Sequence, residues 1–429
     1  MEKFDIVYNH PSYAHAIVDT ILQILKTKVS ENHKDVTEGI DTIIPHIFTK
    51  AIQASLEDSD NLVLNPYILQ KLSLITITIF SKTESATQKN FVDRTFKLFV
   101  DGQLSEFNIN STTEFKPLQT TSLNTQKVTC QLFSAVVCTL RKDVVLPISS
   151  IEDYLNELVT LALSSDNETQ ITYTALTEYV KSTSIVLQDT VSQQASNSDN
   201  ALEVYLWITK SLILRTHALG YELTEKVIEW CGNNIAGSKA PQGFDILIGN
   251  EKLALNKDTF ATTTILYKQR FFSFCLPKLV EGFHVKPNYL IALSYVLKNV
   301  PKQILLTELP PLVPLLIESL SLSDATLKVS TLETFELAVS EAADVIAPQV
   351  RTILPSLLEL LEDTTHNSIR VRVAALTCLG QFPAYISKDS LAPHASFVLK
   401  QLKKPLDDKK RIVRKEAVDC RSKWYTIFN

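Results

Sequence analysis

Apolar residues recur at helical spacing along most of the chain. Ala14, Ile17, Val18, Ile21, Leu22 and Leu25 fall three or four apart near the start, and Leu354, Leu357, Leu358 and Leu361 do so near the end. Each run predicts a helix with one apolar stripe. In the last third the stripes come in pairs. Leu309-Pro310-Pro311-Leu312, Leu354-Pro355-Ser356-Leu357 and Leu391-Ala392-Pro393 each mark a first helix, predicted to begin near its proline because the missing N–H lies among first-turn donors that lack partners. Second helices follow, opening Leu327-Lys328-Val329, Val371-Arg372-Val373 and Val413-Arg414-Lys415. Upstream, Leu276-Pro277-Lys278-Leu279 predicts another opening, its second helix running from about 287 to 297, and Ile44-Pro45-His46-Ile47 predicts one near the start.

The cations of the second helices, Lys328, Arg372 and Arg414, recur at 44 and 42 residues, within the roughly 40–47 of HEAT and armadillo repeats. One hairpin cannot bury both of its stripes, whereas a stack can. The expected fold is therefore all-α, an α-solenoid of about ten HEAT-type helical hairpins wound as a superhelix. Leu74-Ile75-Thr76-Ile77-Thr78-Ile79 alternates like a strand, yet its place after Tyr67 to Leu72 predicts the second half of a hairpin. Polar stretches near 101–127 and 190–200 read as insertions, and 231–258, with four of the nine glycines, reads as a loop or joint. These divide the chain into an amino-terminal sub-array over 1–230 and a carboxy-terminal one over 259–429. The opening helix has no capping unit before it, which predicts a fragment of a longer array.

Composition narrows the function. A net charge of −5 gives no general attraction to nucleic acid or anionic lipid. No apolar run reaches the roughly 18 residues of a membrane span. The six cysteines stand at least eight residues apart, which removes paired metal or redox spacing and predicts reduced packing residues. Phosphate-binding glycine loops, nucleophile elbows and zinc-protease motifs are missing, and the eight histidines are scattered. No catalytic, cofactor or metal residue is expected.

One charge feature stands out. Between Lys400 and Lys415, eight cations oppose Asp407 and Asp408, a local charge of +6 in 16 residues. Arg414 has counterparts in Lys328 and Arg372, so it can equally serve a ladder in which second-helix cations bond loop carboxylates. Lys403, Lys404, Lys409, Lys410, Arg411 and Lys415 have no such counterparts and are candidates for docking a protein partner. The absence of interleaved aromatics speaks against direct nucleic-acid binding. Lys268 and Arg270, beside Phe271 and Phe272, form a second candidate surface.

Four strings carry a resemblance: WITKSLILRTH (207–217), KQRFF (268–272), KPNYL (286–290) and KPLDDKKRIVRKEAV (404–418). The sequence from about Leu206 to Trp424 resembles the carboxy-terminal half of the methyl methanesulfonate sensitivity protein nineteen family, the large HEAT-repeat subunits of the cytosolic iron–sulfur assembly targeting complex. The resemblance implies a scaffold of cytoplasm and nucleus that is not an enzyme. It would join a WD-repeat propeller subunit and a small cysteine-bearing subunit to apo iron–sulfur helicases, polymerases and primase, without binding nucleic acid, membrane or cofactor itself. A nuclear transport receptor or a phosphatase-type scaffold of the same repeat class is the alternative.

Overall fold

The structure, a computed structural model, describes residues 11–150 and 199–428, apart from 58–60, 112–114, 120–121, 142, 234–238, 251–254, 284–285, 287 and 363, and also residues 153, 154 and 157. The described residues are helical, with no strand among them. Two compact units emerge: residues 1–226 with 249–263, and 227–248 with 264–429.

In the first unit, helices α1 (Pro11–Ser30), α2 (Asp35–Leu56), α3 (Pro66–Phe80) and α4 (Ser85–Phe99) precede a short α5 (Leu123–Val128) that runs on through a wider turn, Thr129–Phe133. Further on lie α6 (Asp199–Leu214) and most of α7 (Ala218–Asn233). Tyr154, buried, and the rings of Phe48, Phe80, Phe91, Phe96, Phe99, Phe107, Phe115 and Phe133 form a continuous nest with centroids 5.2–6.4 Å apart. The strand-like string 74–79 is helical, as expected. Its helix is buried on nearly every side, and the hydroxyls of Thr76 and Thr78 bond back to Leu72 O and Leu74 O. The polar stretch 101–127 is tied down more firmly than an insertion would be, because Phe107, Ile109, Phe115 and Leu118 are buried. The stretch expected near 190–200 lies outside the described residues up to 198.

The second unit holds α8 (Lys239–Ile248), α9 (Ile265–Phe283), α10 (Asn288–Asn299), α11 (Lys302–Thr307), α12 (Leu309–Ser319), α13 (Ala325–Glu341), α14 (Val350–Glu359), α15 (Ile369–Tyr385), α16 (Lys388–Gln401) and α17 (Arg411–Tyr425). Helices α8, α10, α13, α15 and α17 pack side by side in that order, while α12, α14 and α16 form a second layer against them. The hairpins α12/α13, α14/α15 and α16/α17 are the repeats whose cations set the period. Each contributes to a shared core through residues such as Leu312, Leu357, Leu376 and Trp424.

Two expectations change. Of the five predicted openings, only that of α12 lies at its prolines; Pro45, Pro277, Pro355 and Pro393 lie inside α2, α9, α14 and α16. A proline costs a helix interior about 3 kcal/mol where the freed carbonyl is sealed from water. Here Pro277, Pro355 and Pro393 sit on exposed faces where water can meet that carbonyl. The joint read over 231–258 contains the end of α7 and all of α8. Gly232 there serves packing: a Cβ at this position would lie 2.4 Å from the Tyr289 hydroxyl.

Candidate partner-docking surface

The cations of the carboxy-terminal repeats divide into those held by the fold and those left outside it. Lys328 on α13 reaches across to the next hairpin and donates to Asn367 Oδ1 at 3.0 Å. Asn367 in turn donates to Glu359 O and Glu362 O at the end of α14, 3.2 and 3.3 Å. One hairpin on, Arg372 Nε pairs with Asp408 Oδ2 at 3.0 Å, the two side chains 4% and 3% exposed. Arg372 Nη1 also donates to Asn367 O at 2.7 Å, and Arg414 Nη1 donates to Asp408 O at 2.6 Å.

These bonds form rungs. Each cation holds the loop before its own helix or the loop of the following hairpin, so the ladder fixes the stacking of neighbours. Burial without a carboxylate partner shifts the Lys328 ammonium below its ordinary value. At the Arg372 rung a full countercharge is present, as a guanidinium at this depth demands.

Asp408 also organises what remains outside. Its Oδ1 accepts from the N–H of Lys410 at 2.7 Å, turning the chain into α17. Lys403, Lys404, Lys409, Lys410, Arg411 and Lys415 are exposed around this turn, with Arg411 and Lys415 one helical turn apart on the same side of α17. Lys404 meets Glu362 at 3.2 Å in an exposed pair, worth little in water. The structure therefore gathers seven of the eight ridge cations at the surface, Lys400 included, and spends the eighth, Arg414, on the ladder.

The second candidate surface separates in the same way. Lys268 Nζ donates to Asn299 O at 2.8 Å, bonding the carboxy-terminal end of α10, and burial lowers its ammonium pKa. Arg270 is exposed, while Phe271 and Phe272 are core. Both sit on α9 beside α10, several helices before the ridge in the stack.

Among the described residues no group of three or more His, Cys, Asp or Glu converges as a metal site would need. All six thiols are buried. Burial pushes Cys138, Cys231 and Cys420 up to about 12 and raises Cys275 and Cys378 as well, so these sulfurs stay protonated at neutral pH. Among the described residues no helix is long and apolar enough to cross a membrane.

Loop carboxylates were the ladder partners expected from the sequence, and Asp408 fills that role; two other groups went unseen. Asn367 stands five residues before its own helix's cation where Asp408 stands six before its own, and this slip in spacing hides their equivalence. Lys298 and Arg370, exposed on α10 and α15, carry no motif at all.

Known proteins share this sequence. The chain is 39% identical over 237 residues to the MMS19 nucleotide excision repair protein homolog of Mus musculus, covering 54% of this chain and 23% of that protein. It is 36% identical over 233 residues to the DNA repair/transcription protein mms19 of Schizosaccharomyces pombe, covering 53% and 23%. The matched part is thus about a quarter of those relatives' length. Among solved structures, yeast importin-beta superposes at a TM-score of 0.38 with 10% identity over 97% of this chain and 61% of its own, too loosely to bear on function. Residues 1–383 match the family model for the RNAPII transcription regulator C-terminal region, and the chain belongs to that MMS19 family.

Proposed function

We propose that the chain is a non-enzymatic docking scaffold in the maturation of cytosolic and nuclear iron–sulfur proteins. It holds the WD-repeat propeller subunit and the small cysteine-bearing subunit of the targeting complex and presents apo helicases, polymerases and primase to them. The observation that carries this reading is the split among the cations: Lys328, Arg372 and Arg414 are bonded into the fold, whereas Lys403, Lys410, Arg411 and Lys415 project from a turn that Asp408 rigidifies. A pre-ordered charged surface orients a partner at a smaller entropic cost than a mobile tail. Family membership and the four matched strings support the choice of partners. Buried, protonated thiols that do not converge in groups of three or more among the described residues fit a bridge whose partners carry the cluster, since cluster ligation takes several converging thiolates. The repair and transcription names of the relatives follow in this reading from iron–sulfur helicases served as clients.

The test is reconstitution from purified parts. The chain, the propeller subunit and the small subunit are mixed and passed over a sizing column. Co-elution of all three is the expected result; elution of the chain alone under conditions where the other two bind each other would refute the reading.

A further inference from the structure

In the second unit, a cleft of about 150 Å³ opens between α10, α13 and α15, lined among others by Tyr295, Lys298, Thr326, Ser330, Glu333 and Arg370. Its volume is about half that of the smallest ordinary ligand pockets, so it suits one or two side chains of a peptide better than a cofactor. Two cations frame it from different helices, Lys298 in the last turns of α10 and Arg370 in the first turn of α15, and both are exposed. The ion pairs of this unit among the described residues engage Lys302, Arg372 and Lys404 and leave these two without a carboxylate. The charges of Asp324 and Asp245 reach Tyr295, but neither lines the cleft: Asp324 accepts from the Leu327 N–H at 2.8 Å and Asp245 from Asn299 Nδ2 at 2.7 Å.

We propose that this cleft docks an acidic peptide segment of a partner protein, seating one Asp or Glu carboxylate between Lys298 and Arg370. Charge complementarity selects this occupant. Among the lining residues themselves two cations stand against Glu333, a wall charge of +1 that suits a single carboxylate and is too little for a phosphate chain or nucleic acid. Glu333 then faces the peptide's own N–H groups, and the hydroxyls of Thr326 and Ser330 supply further donors and acceptors for its backbone. Val329 and the Tyr295 ring line the same cleft and give the aliphatic part of a Glu side chain an apolar wall. The site stands on this geometry alone and does not depend on which assembly the chain serves.

The experiment uses the full chain and two dye-labelled nine-residue peptides of alternating Glu and Ala or Lys and Ala, read by fluorescence anisotropy. The Glu peptide should bind the wild type, at least tenfold more weakly after Lys298→Glu with Arg370→Glu, and a few-fold more tightly after Glu333→Gln. The double variant should bind the Lys peptide at least tenfold better than the wild type does. Reversal of Lys409, Lys410 and Arg411 should change Glu-peptide binding by less than about twofold, with helical circular dichroism unchanged in every variant. The proposal is overturned if the Glu peptide does not bind the wild type, if the Lys298/Arg370 variant binds it equally well, or if only the ridge variant loses it.

Discussion

The two units bury comparable apolar stripes but hold their helices in register by different means. In the first, register comes from shape: interlocked rings span α2 to α5, and buried Gln88 ties the end of α3 at Phe80 O to Thr139 O beyond α5, at 2.8 and 3.3 Å. In the second, register comes from charge and amide rungs that recur once per hairpin. An aromatic nest is local and irregular, so it can hold an irregular stretch such as 101–111. A rung ladder demands a repeating backbone, and it keeps the outward cations at the surface.

The largest separation of the two units should come from Phe48→Ala. Phe48 is fully buried and meets Phe91, Phe99 and Phe107 at 5.9, 5.7 and 5.5 Å, so the loss is about 3–5 kcal/mol. Hydrogen exchange should show amides of α2 to α4 losing protection while α13 to α17 keep theirs. Asp408→Ala should do the converse at about 3 kcal/mol, the lower end for stranding one member of a buried pair. Protection should fall first in α15 and α17. Lys328→Met tests the rung that ends on uncharged acceptors, Asn367 Oδ1 and more weakly His366 O, and about 1 kcal/mol is expected by chemical denaturation.

Alkali should separate the units least. Both contain thiols whose pKa rises from 9.0 to about 12 on folding, Cys138 in the first and Cys420 in the second. Below pH 9 folded and unfolded chains both keep these protons. As pH rises from 9 toward 12 the unfolded chain releases them first, and stability falls. Thermal unfolding across that range should shift downward in both units together.

Much of the second unit was legible because its signal is written twice, in leucine spacing and in a recurring cation. The starts of α13, α15 and α17 follow from Lys328, Arg372 and Arg414 alone. The first-helix starts were misplaced because a proline reads locally as an opening, whereas an exposed helix face accepts one in mid-helix. Glycine misled in a similar way: Gly232 signals a turn by composition but serves close packing beneath Tyr289. The ridge was visible as charge. Arg414 was already set apart there by its counterparts in Lys328 and Arg372, but the cross-hairpin pairing was not visible, since Asp408 lies 36 residues from Arg372 and Asn367 offers a partner of another chemical type. The cleft at Lys298 and Arg370 depends on three helices meeting, and no single stretch of sequence encodes it.

The central claim is that exposed ridge cations dock the partner while bonded ones hold the fold. Binding of the purified propeller and small-subunit pair should be measured by titration calorimetry against the wild type and the Lys409→Glu, Lys410→Glu, Arg411→Glu variant. The account predicts at least a tenfold loss of affinity with helical circular dichroism and thermal midpoint preserved. Unchanged affinity in the folded variant would contradict it.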